Sequence, residues 1–174
     1  LSDIQQVPKR EQKQWIKETL RHKANIHIFG HYFFPHLVQG KVADCHYHLT
    51  QESSERKDSV IIFPRGHGKT TWERIDTIHD IVYAIEPVIV YVSDTLEEAK
   101  LHFGAIKVEL ENNTVLKAVF EDLVPQDKEK LKWTDKFFQT TNGVSVVARG
   151  AGKGRGTNIN GQRPTKIVCD DIEN

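Results

Sequence analysis

The sequence predicts an α/β fold in which helices cover a mostly parallel β-sheet. Three observations lead to this prediction. An apolar run at residues 60–63 precedes a glycine-containing turn and a helix-compatible stretch, and a second apolar run at residues 88–93 precedes another helix signal. A third apolar run, at residues 166–169, ends in two aspartates. Strands that alternate with helices are typical of parallel sheets, because each parallel connection requires a crossover.

Composition excludes several classes of protein. The 174 residues include 24 Lys and Arg and 24 Asp and Glu, so net charge gives no reason to expect nucleic-acid binding. No apolar run approaches the roughly 20 residues that cross a bilayer, and no signal peptide opens the chain. Two cysteines are too few for a disulfide framework, and the apolar run around Cys169 predicts a reduced, buried thiol in a cytosolic protein.

The turn after the first apolar run has the residue types of a phosphate-binding loop. Its glycines let the backbone curl so that N–H groups point at a phosphate, and the following helix N-terminus adds donors and a positive dipole end. Lys69 would reach the β- and γ-phosphates, and the Thr70 hydroxyl would ligate Mg²⁺. The full template has a glycine where this chain has Phe63, so an ordinary surface turn is the alternative. The expected nucleotide contacts are Arg65, Gly66, His67, Gly68, Lys69, Thr70 and Thr71.

The segment before this loop is dense in aromatic and imidazole groups. Phe34, Gln39 or Gln51 would supply a stacking face or a polar contact for adenine, and core packing is the alternative for any single aromatic ring. Cys45, His46 and His48 lack the paired spacing of zinc ligands, so we expect no metal site there.

The remaining elements follow in order. A polar helix is expected at residues 7–31, another helix at 71–83 and a strand covered on both faces at 88–93. Ser93 and Asp94 are the expected N-cap of a helix that runs to about residue 112. Asn142-Gly143, between two β-prone runs, predicts a hairpin with a tight primed turn.

Two further segments carry groups suited to phosphate chemistry. Arg149, Lys153, Arg155 and Arg163 lie in a glycine-dense loop that would contact the phosphates of nucleotide or DNA, unless it is only a solvated linker. Asp170 follows the last apolar run, which places it at the carboxyl edge of a parallel sheet, where ligands bind. One carboxylate of this cluster would hold Mg²⁺ and a neighbour would orient or deprotonate the attacking water. A plain exposed acidic turn is the alternative.

The order of these motifs resembles that of the N-terminal ATPase domain of the bacteriophage terminase large subunit, the DNA-packaging motor of tailed phages. The resemblance covers residues 30–174 and rests on residues 33–36, 64–70, 150–164 and 167–173. It implies a three-layer P-loop NTPase fold of the additional-strand, RecA-like class, with ATP and Mg²⁺ as cofactors. It also implies that Asp170 is the metal-side acid and that Asp171 or Glu173 is the catalytic carboxylate. The candidates for a charge-stabilising arginine finger are Arg65, Arg155 and Arg163.

The same resemblance implies the biological setting. ATP hydrolysis would drive double-stranded DNA into a procapsid in the host cytoplasm, with the portal protein, the small terminase subunit and further copies of the chain in a ring as partners. Residues 1–30 would form a helical segment and residues 31–174 an ATPase domain that is incomplete at its C-terminus and lacks the family's nuclease domain. The alternatives are a helicase-type, nucleic-acid-dependent ATPase and a non-catalytic nucleotide-binding module.

Overall fold

The structure is a computed structural model of the chain that describes residues 9–55, 58, 60–62, 64–127, 131–152, 158–159 and 161–172. The chain divides into two compact units: residues 1–79 with 118–120, and residues 80–117 with 121–174. The boundary that the sequence places between residues 30 and 31 stays a prediction. Within the described part of the chain, no helix is long and apolar enough to cross a membrane.

The regular secondary structure described in the first unit is helical. It contains α1 (Lys9–Leu20), a 3-10 turn (Lys23–Asn25), α2 (Ile26–Phe33), α3 (Asp44–Ser54) and most of α4 (Lys69–Val82). The single helix expected at residues 7–31 is therefore divided in two. At the division the Asn25 side chain donates to the Thr19 carbonyl over 2.8 Å, and the His22 ring accepts from the Ala24 N–H over 3.2 Å. Such side-chain bonds to the backbone compete with helical ones.

Aromatic rings form the core of the first unit. Phe29 lies at its centre, with ring centroids 4.8 Å from Phe33, 5.8 Å from Phe34 and 4.9 Å from His79. All three phenylalanines are at most 1% exposed. The buried His79 ring also donates from Nε2 to the Leu20 carbonyl over 2.9 Å, which ties α4 to the end of α1.

The second unit contains a four-stranded, mostly parallel sheet. Its strands are β1 (Val88–Ser93), β2 (Phe137–Gln139), β3 (Ser145–Gly150) and β4 (Lys166–Cys169), in the order β2-β3-β1-β4. The central strand β1 is parallel to both β3 and β4, and β2 is antiparallel to β3. The predicted α/β class and mostly parallel sheet are therefore confirmed.

A helix follows β1, as the sequence predicts, and a second, shorter helix that was not predicted comes after it. α5 (Leu96–Asn112) packs against β1 and β3, and α6 (Thr114–Phe120) follows it. The expected N-cap at Ser93 or Asp94 is wrong, because Ser93 is still paired with Gly150 in the sheet. Thr95 is the N-cap instead: its hydroxyl accepts from the Glu98 N–H, and the Glu98 carboxylate accepts from the Thr95 N–H. This reciprocal pair satisfies two donors of the first turn.

The apolar run before the phosphate loop is not a strand in the part that is described. Residues 60–62 lie outside regular secondary structure, and the side chains of Val60 and Ile62 are 89% and 87% exposed. The predicted strand is therefore wrong for these residues, whereas Phe63 lies outside the described residues. Apolar, β-branched composition favours a strand only where a neighbouring strand can pair with it.

The hairpin is confirmed, but its turn differs from the prediction. Thr140 donates its N–H to the Val144 carbonyl over 2.9 Å, which leaves a three-residue loop rather than a two-residue one. A primed type I′ turn needs positive φ at both central residues, and here Gly143 has a φ of +92° while Asn142 is not in that region. The Asn142 side chain instead donates to the Ile81 carbonyl over 2.8 Å.

Strand β4 has one covered and one exposed face. Val168 is buried, whereas Ile167 is 63% exposed and Cys169 is exposed. The prediction of a buried Cys169 thiol is therefore wrong. Alternate side chains of a strand point to opposite faces, and Cys169 shares the face of Ile167.

An ion pair anchors the start of β4. Lys166 Nζ lies 2.6 Å from Asp80 Oδ2 in the last turns of α4, and the Asp80 side chain is fully buried while that of Lys166 is 18% exposed. A buried carboxylate that loses its cation keeps its desolvation cost without compensation.

We expect Lys166→Met to lower the free energy of unfolding by about 3 kcal/mol, because it removes a positive charge 2.6 Å from the buried Asp80 carboxylate. Urea denaturation followed by circular dichroism measures this change. The matched control is Lys100→Met, since Lys100 pairs with Glu97 and Asp135 side chains that are 79% and 67% exposed. A Lys166→Met protein as stable as the wild type would contradict the assignment.

Candidate functional site

The predicted phosphate loop is a turn with left-handed backbone that leads directly into α4. Gly66 and Gly68 have φ values of +80° and +71°, a region that residues with a Cβ rarely adopt. α4 begins at Lys69, and the Gly68 carbonyl accepts the first helical hydrogen bond from the Trp72 N–H over 3.0 Å. The predicted order of glycine turn and then helix is confirmed.

The side chains of the loop differ in exposure. Arg65 and His67 are exposed, whereas Lys69, Thr70 and Thr71 are half-buried. The His67 ring donates from Nδ1 to the Arg65 carbonyl over 3.2 Å, which closes the turn on itself. His46 of α3 also contacts this loop, and its geometry is described below.

The adenine candidates have different environments. Phe34 is fully buried against Phe29 and Phe33, so its ring has no exposed face for a base and it packs in the core, as the alternative held. Gln39 and Gln51 are exposed. Their contact with a nucleotide stays a prediction.

Among the residues that the structure describes, no group of three or more His, Cys, Asp or Glu side chains is arranged to hold a metal ion by itself. Mg²⁺ bound with a nucleotide needs only one or two protein ligands, because phosphate oxygens and water complete its shell. A half-buried hydroxyl at Thr70 and a carboxylate at Asp170 are oxygen donors of the type that Mg²⁺ prefers.

Asp170 lies at the edge of the sheet where the parallel strands end. Its N–H donates to the Val92 carbonyl over 3.0 Å, which extends the pairing of β4 with β1 by one residue. Ser93 and Gly150 end the two neighbouring strands at the same edge. The Asp170 side chain is only 1% exposed, so the alternative of a plain exposed turn does not describe this residue.

Two side chains that the sequence analysis did not single out contact Asp170. The Tyr91 hydroxyl donates to Asp170 Oδ2 over 3.5 Å, and His102 Nε2 of α5 lies 3.8 Å from the same oxygen. The His102 and Tyr91 rings are stacked with centroids 5.7 Å apart. Tyr91 lies two residues before the end of β1. Its hydroxyl group, in an otherwise apolar run, is the feature of the sequence that could have indicated a role at this edge of the sheet.

The other acidic and basic candidates are exposed or not described. Asp171 is exposed and has a φ of +46°, and Arg163 is exposed. Glu173, Lys153 and Arg155 lie outside the described residues. The roles of all these residues stay predictions.

The start of the glycine-dense loop is set by close packing. A Cβ at Gly150 would lie 2.9 Å from the Leu96 N atom, closer than real Cβ contacts allow. The next residue, Ala151, donates its N–H to the Ser93 carbonyl over 2.8 Å. The loop therefore leaves β3 in contact with the turn between β1 and α5.

Among the residues that the structure describes, clear pKa shifts occur at His27, Lys100 and Asp135, which are not site candidates. Burial lowers the pKa of His27, and the nearby His31 lowers it further. Hydrogen bonds with Asp135 and Glu97 raise the pKa of Lys100, and the bond with Lys100 lowers the pKa of Asp135. Burial and ion pairing explain these shifts, which assign no function to their residues.

Comparison with protein-family models, with curated proteins and with solved structures gives no significant match. That Lys69 and Asp170 converge on one nucleotide stays a prediction.

We expect Gly68→Ala to lower the free energy of unfolding by about 1 kcal/mol, because alanine is strained at positive φ. Gly104→Ala is the matched control: Gly104 lies within α5 and a Cβ there meets no atom within 4 Å. We expect this change to stabilise the protein by about 0.5–1 kcal/mol, since alanine favours helices over glycine. Chemical denaturation measures both, and a stabilising Gly68→Ala would show that the turn is not left-handed.

Proposed function

We propose that this chain is the ATPase domain of a phage terminase large subunit, with a P-loop NTPase fold that hydrolyses ATP with Mg²⁺. The observation that carries the proposal is the pair of left-handed glycines directly before α4. Left-handed backbone next to right-handed backbone turns successive N–H groups toward one point, which is how a nest binds an anion. The N-terminus of α4 contributes further N–H donors and its dipole at the same place.

Lys69 has a phosphate-binding role in this proposal. It is the first residue of α4, so its side chain leaves the chain where the helix dipole is most positive. A lysine there is a compact charge that follows the β- and γ-phosphates, and the next residue, Thr70, offers its hydroxyl to the metal that they carry. Arg65 and His67, both exposed, flank the phosphates.

Asp170 supports the proposal from the sheet. Buried carboxylates need partners, and Asp170 lies at the carboxyl edge of parallel strands beside Tyr91 and His102. Asp170 serves as the metal-side acid, while Asp171 or Glu173 orients the attacking water. Asp171 is exposed, so solvent reaches its carboxylate.

The wider function comes from the resemblance in motif order. We propose double-stranded DNA as the translocated substrate and the portal protein and small terminase subunit as partners. Several copies of the chain form a ring at the procapsid in the host cytoplasm, and a neighbouring copy supplies or receives an arginine finger.

A non-catalytic nucleotide-binding module is the second candidate. Two observations favour it. Residues 60–62 are exposed and not in a strand. Asp171, one of the two candidates for the catalytic carboxylate, has a shorter side chain than a glutamate and is held at positive φ. Such a module would bind ATP through the loop without hydrolysing it.

We expect Lys69→Ala to lower ATP turnover at least about 100-fold, because the lost charge acts on phosphates rather than on packing. A coupled assay of ADP release measures turnover, with circular dichroism to confirm folding. The control is Lys13→Ala, an exposed lysine of α1. Normal turnover in a folded Lys69→Ala protein would remove the site. ATP binding without turnover in the wild type would favour the non-catalytic module.

We expect Arg155→Ala or Arg163→Ala to lower kcat at saturating ATP by about 1,000-fold, since a finger stabilises the transition state. The matching lysine substitution keeps the charge but loses the planar fork, so it separates the two contributions. Mixing the alanine variant with Lys69→Ala tests supply between subunits, because recovered turnover requires one intact residue from each. If kcat is unchanged in both alanine variants, the loop is a DNA contact or a linker, and Arg65 is the remaining candidate.

A further inference from the structure

His46 in α3 makes a direct hydrogen bond to the phosphate loop. Its Nε2 atom lies 2.7 Å from the carbonyl oxygen of His67, which is a short distance for such a bond. On the other side of the ring, Nδ1 lies 3.3 Å from the Ala43 backbone N–H. A carbonyl only accepts and an N–H only donates. Both contacts are therefore satisfied by the neutral ring that carries its proton on Nε2.

The same ring packs on the first turn of α4. The centroids of the His46 and Trp72 rings are 5.1 Å apart at an interplanar angle of 40°. Trp72 is 5% exposed and is wedged against α2, where a Cβ on Gly30 would lie 3.2 Å from its Cζ3 atom. His46 thus connects a well-packed indole with an exposed turn.

The hydrogen bond acts on one particular peptide unit. The His67 carbonyl and the Gly68 N–H belong to the same planar, trans peptide and point in opposite directions. Holding the carbonyl toward His46 therefore holds the Gly68 N–H away from α3. Glycines lie on both sides of His67 and offer little conformational resistance, so an external bond is needed to select one orientation.

We propose that His46 is a positioning residue that fixes the His67–Gly68 peptide so that the Gly68 N–H points at the bound phosphate. The phosphate part rests on the proposed function, whereas the effect on the loop does not. A hydrogen bond to a carbonyl 21 residues away leaves no pattern in the sequence, so residue type alone indicates only a possible metal ligand at His46.

Two substitutions separate the hydrogen bond from the ring contact. His46→Phe keeps a ring against Trp72 but has no donor. His46→Gln loses the ring but places an amide N–H the same number of bonds from Cα as His Nε2. The matched control is His48→Phe, at an exposed histidine of the same helix.

The first readout needs no nucleotide. Trypsin cleaves after the exposed Arg65, and its rate on the folded chain reports local opening of the loop. We expect His46→Phe to raise this rate about 3- to 10-fold relative to cleavage after Lys132, an exposed lysine of the second unit, because the loop loses one hydrogen bond. His46→Gln should restore most of the wild-type rate, and His48→Phe should not change it.

The second readout is the ATP dependence of turnover. The Gly68 N–H contacts phosphate in both the ground state and the transition state, so we expect His46→Phe to raise KM about 3- to 10-fold with little change in kcat. His46→Gln should again restore the wild-type value.

Equal cleavage after Arg65 in wild type and His46→Phe would overturn the proposal, whether or not ATP binds. A His46→Gln protein that behaves like His46→Phe would also overturn it, because the donor would then not matter. If the wild type binds no ATP, the proposed function fails, and the cleavage rates still decide whether His46 holds the loop. If His46→Phe fails to fold, cleavage in His46→Ala against His46→Gln makes the same comparison.

Discussion

Burial of β1 between two parallel neighbours is the constraint on which the second unit depends. Backbone pairing occupies both edges of this strand, and residues 88–91 are at most 3% exposed. Each buried aliphatic side chain of this kind contributes about 1.5–3 kcal/mol, so the register of β1 is strongly specified. Because β3 and β4 align with β1, the position of Asp170 follows from that register. The acidic candidate is thus placed by apolar packing some distance from it in sequence.

The sequence predicts the fold best where the local pattern and the tertiary environment agree. The strand at residues 88–93 and the end of the next helix at residue 112 agree with the sequence prediction, whereas the start of that helix does not. The run at residues 60–62 has equally strong strand composition, yet it has no strand partner in the described chain. Pairing partners lie far away in sequence, so composition alone cannot separate these two cases. Cys169 shows the same limit, since the exposed face of β4 depends on what covers it.

Some residues of the candidate site are predictable from the sequence and others are not. Gly66 and Gly68 were predictable, because positive φ has a strong residue preference that is visible in the sequence. His46, Tyr91 and His102 were not, since each acts through a contact with a residue at least 21 positions distant or on another element. Histidine is also versatile: it ligates metals, donates, accepts and stacks. The role of a histidine therefore does not follow from residue type alone. It follows from which atoms its two ring nitrogens contact in the folded chain.

The tight packing at Gly150 distinguishes this residue from Gly152, the next glycine that the structure describes. Gly152 has a φ of +82° and open space around it, so its requirement is conformational, whereas Gly150 is excluded from carrying a side chain by the Leu96 backbone. Evolution could therefore replace Gly152 by asparagine, which tolerates left-handed backbone, but has no such substitute at Gly150. Related sequences would therefore keep Gly150 after Gly152 had been replaced.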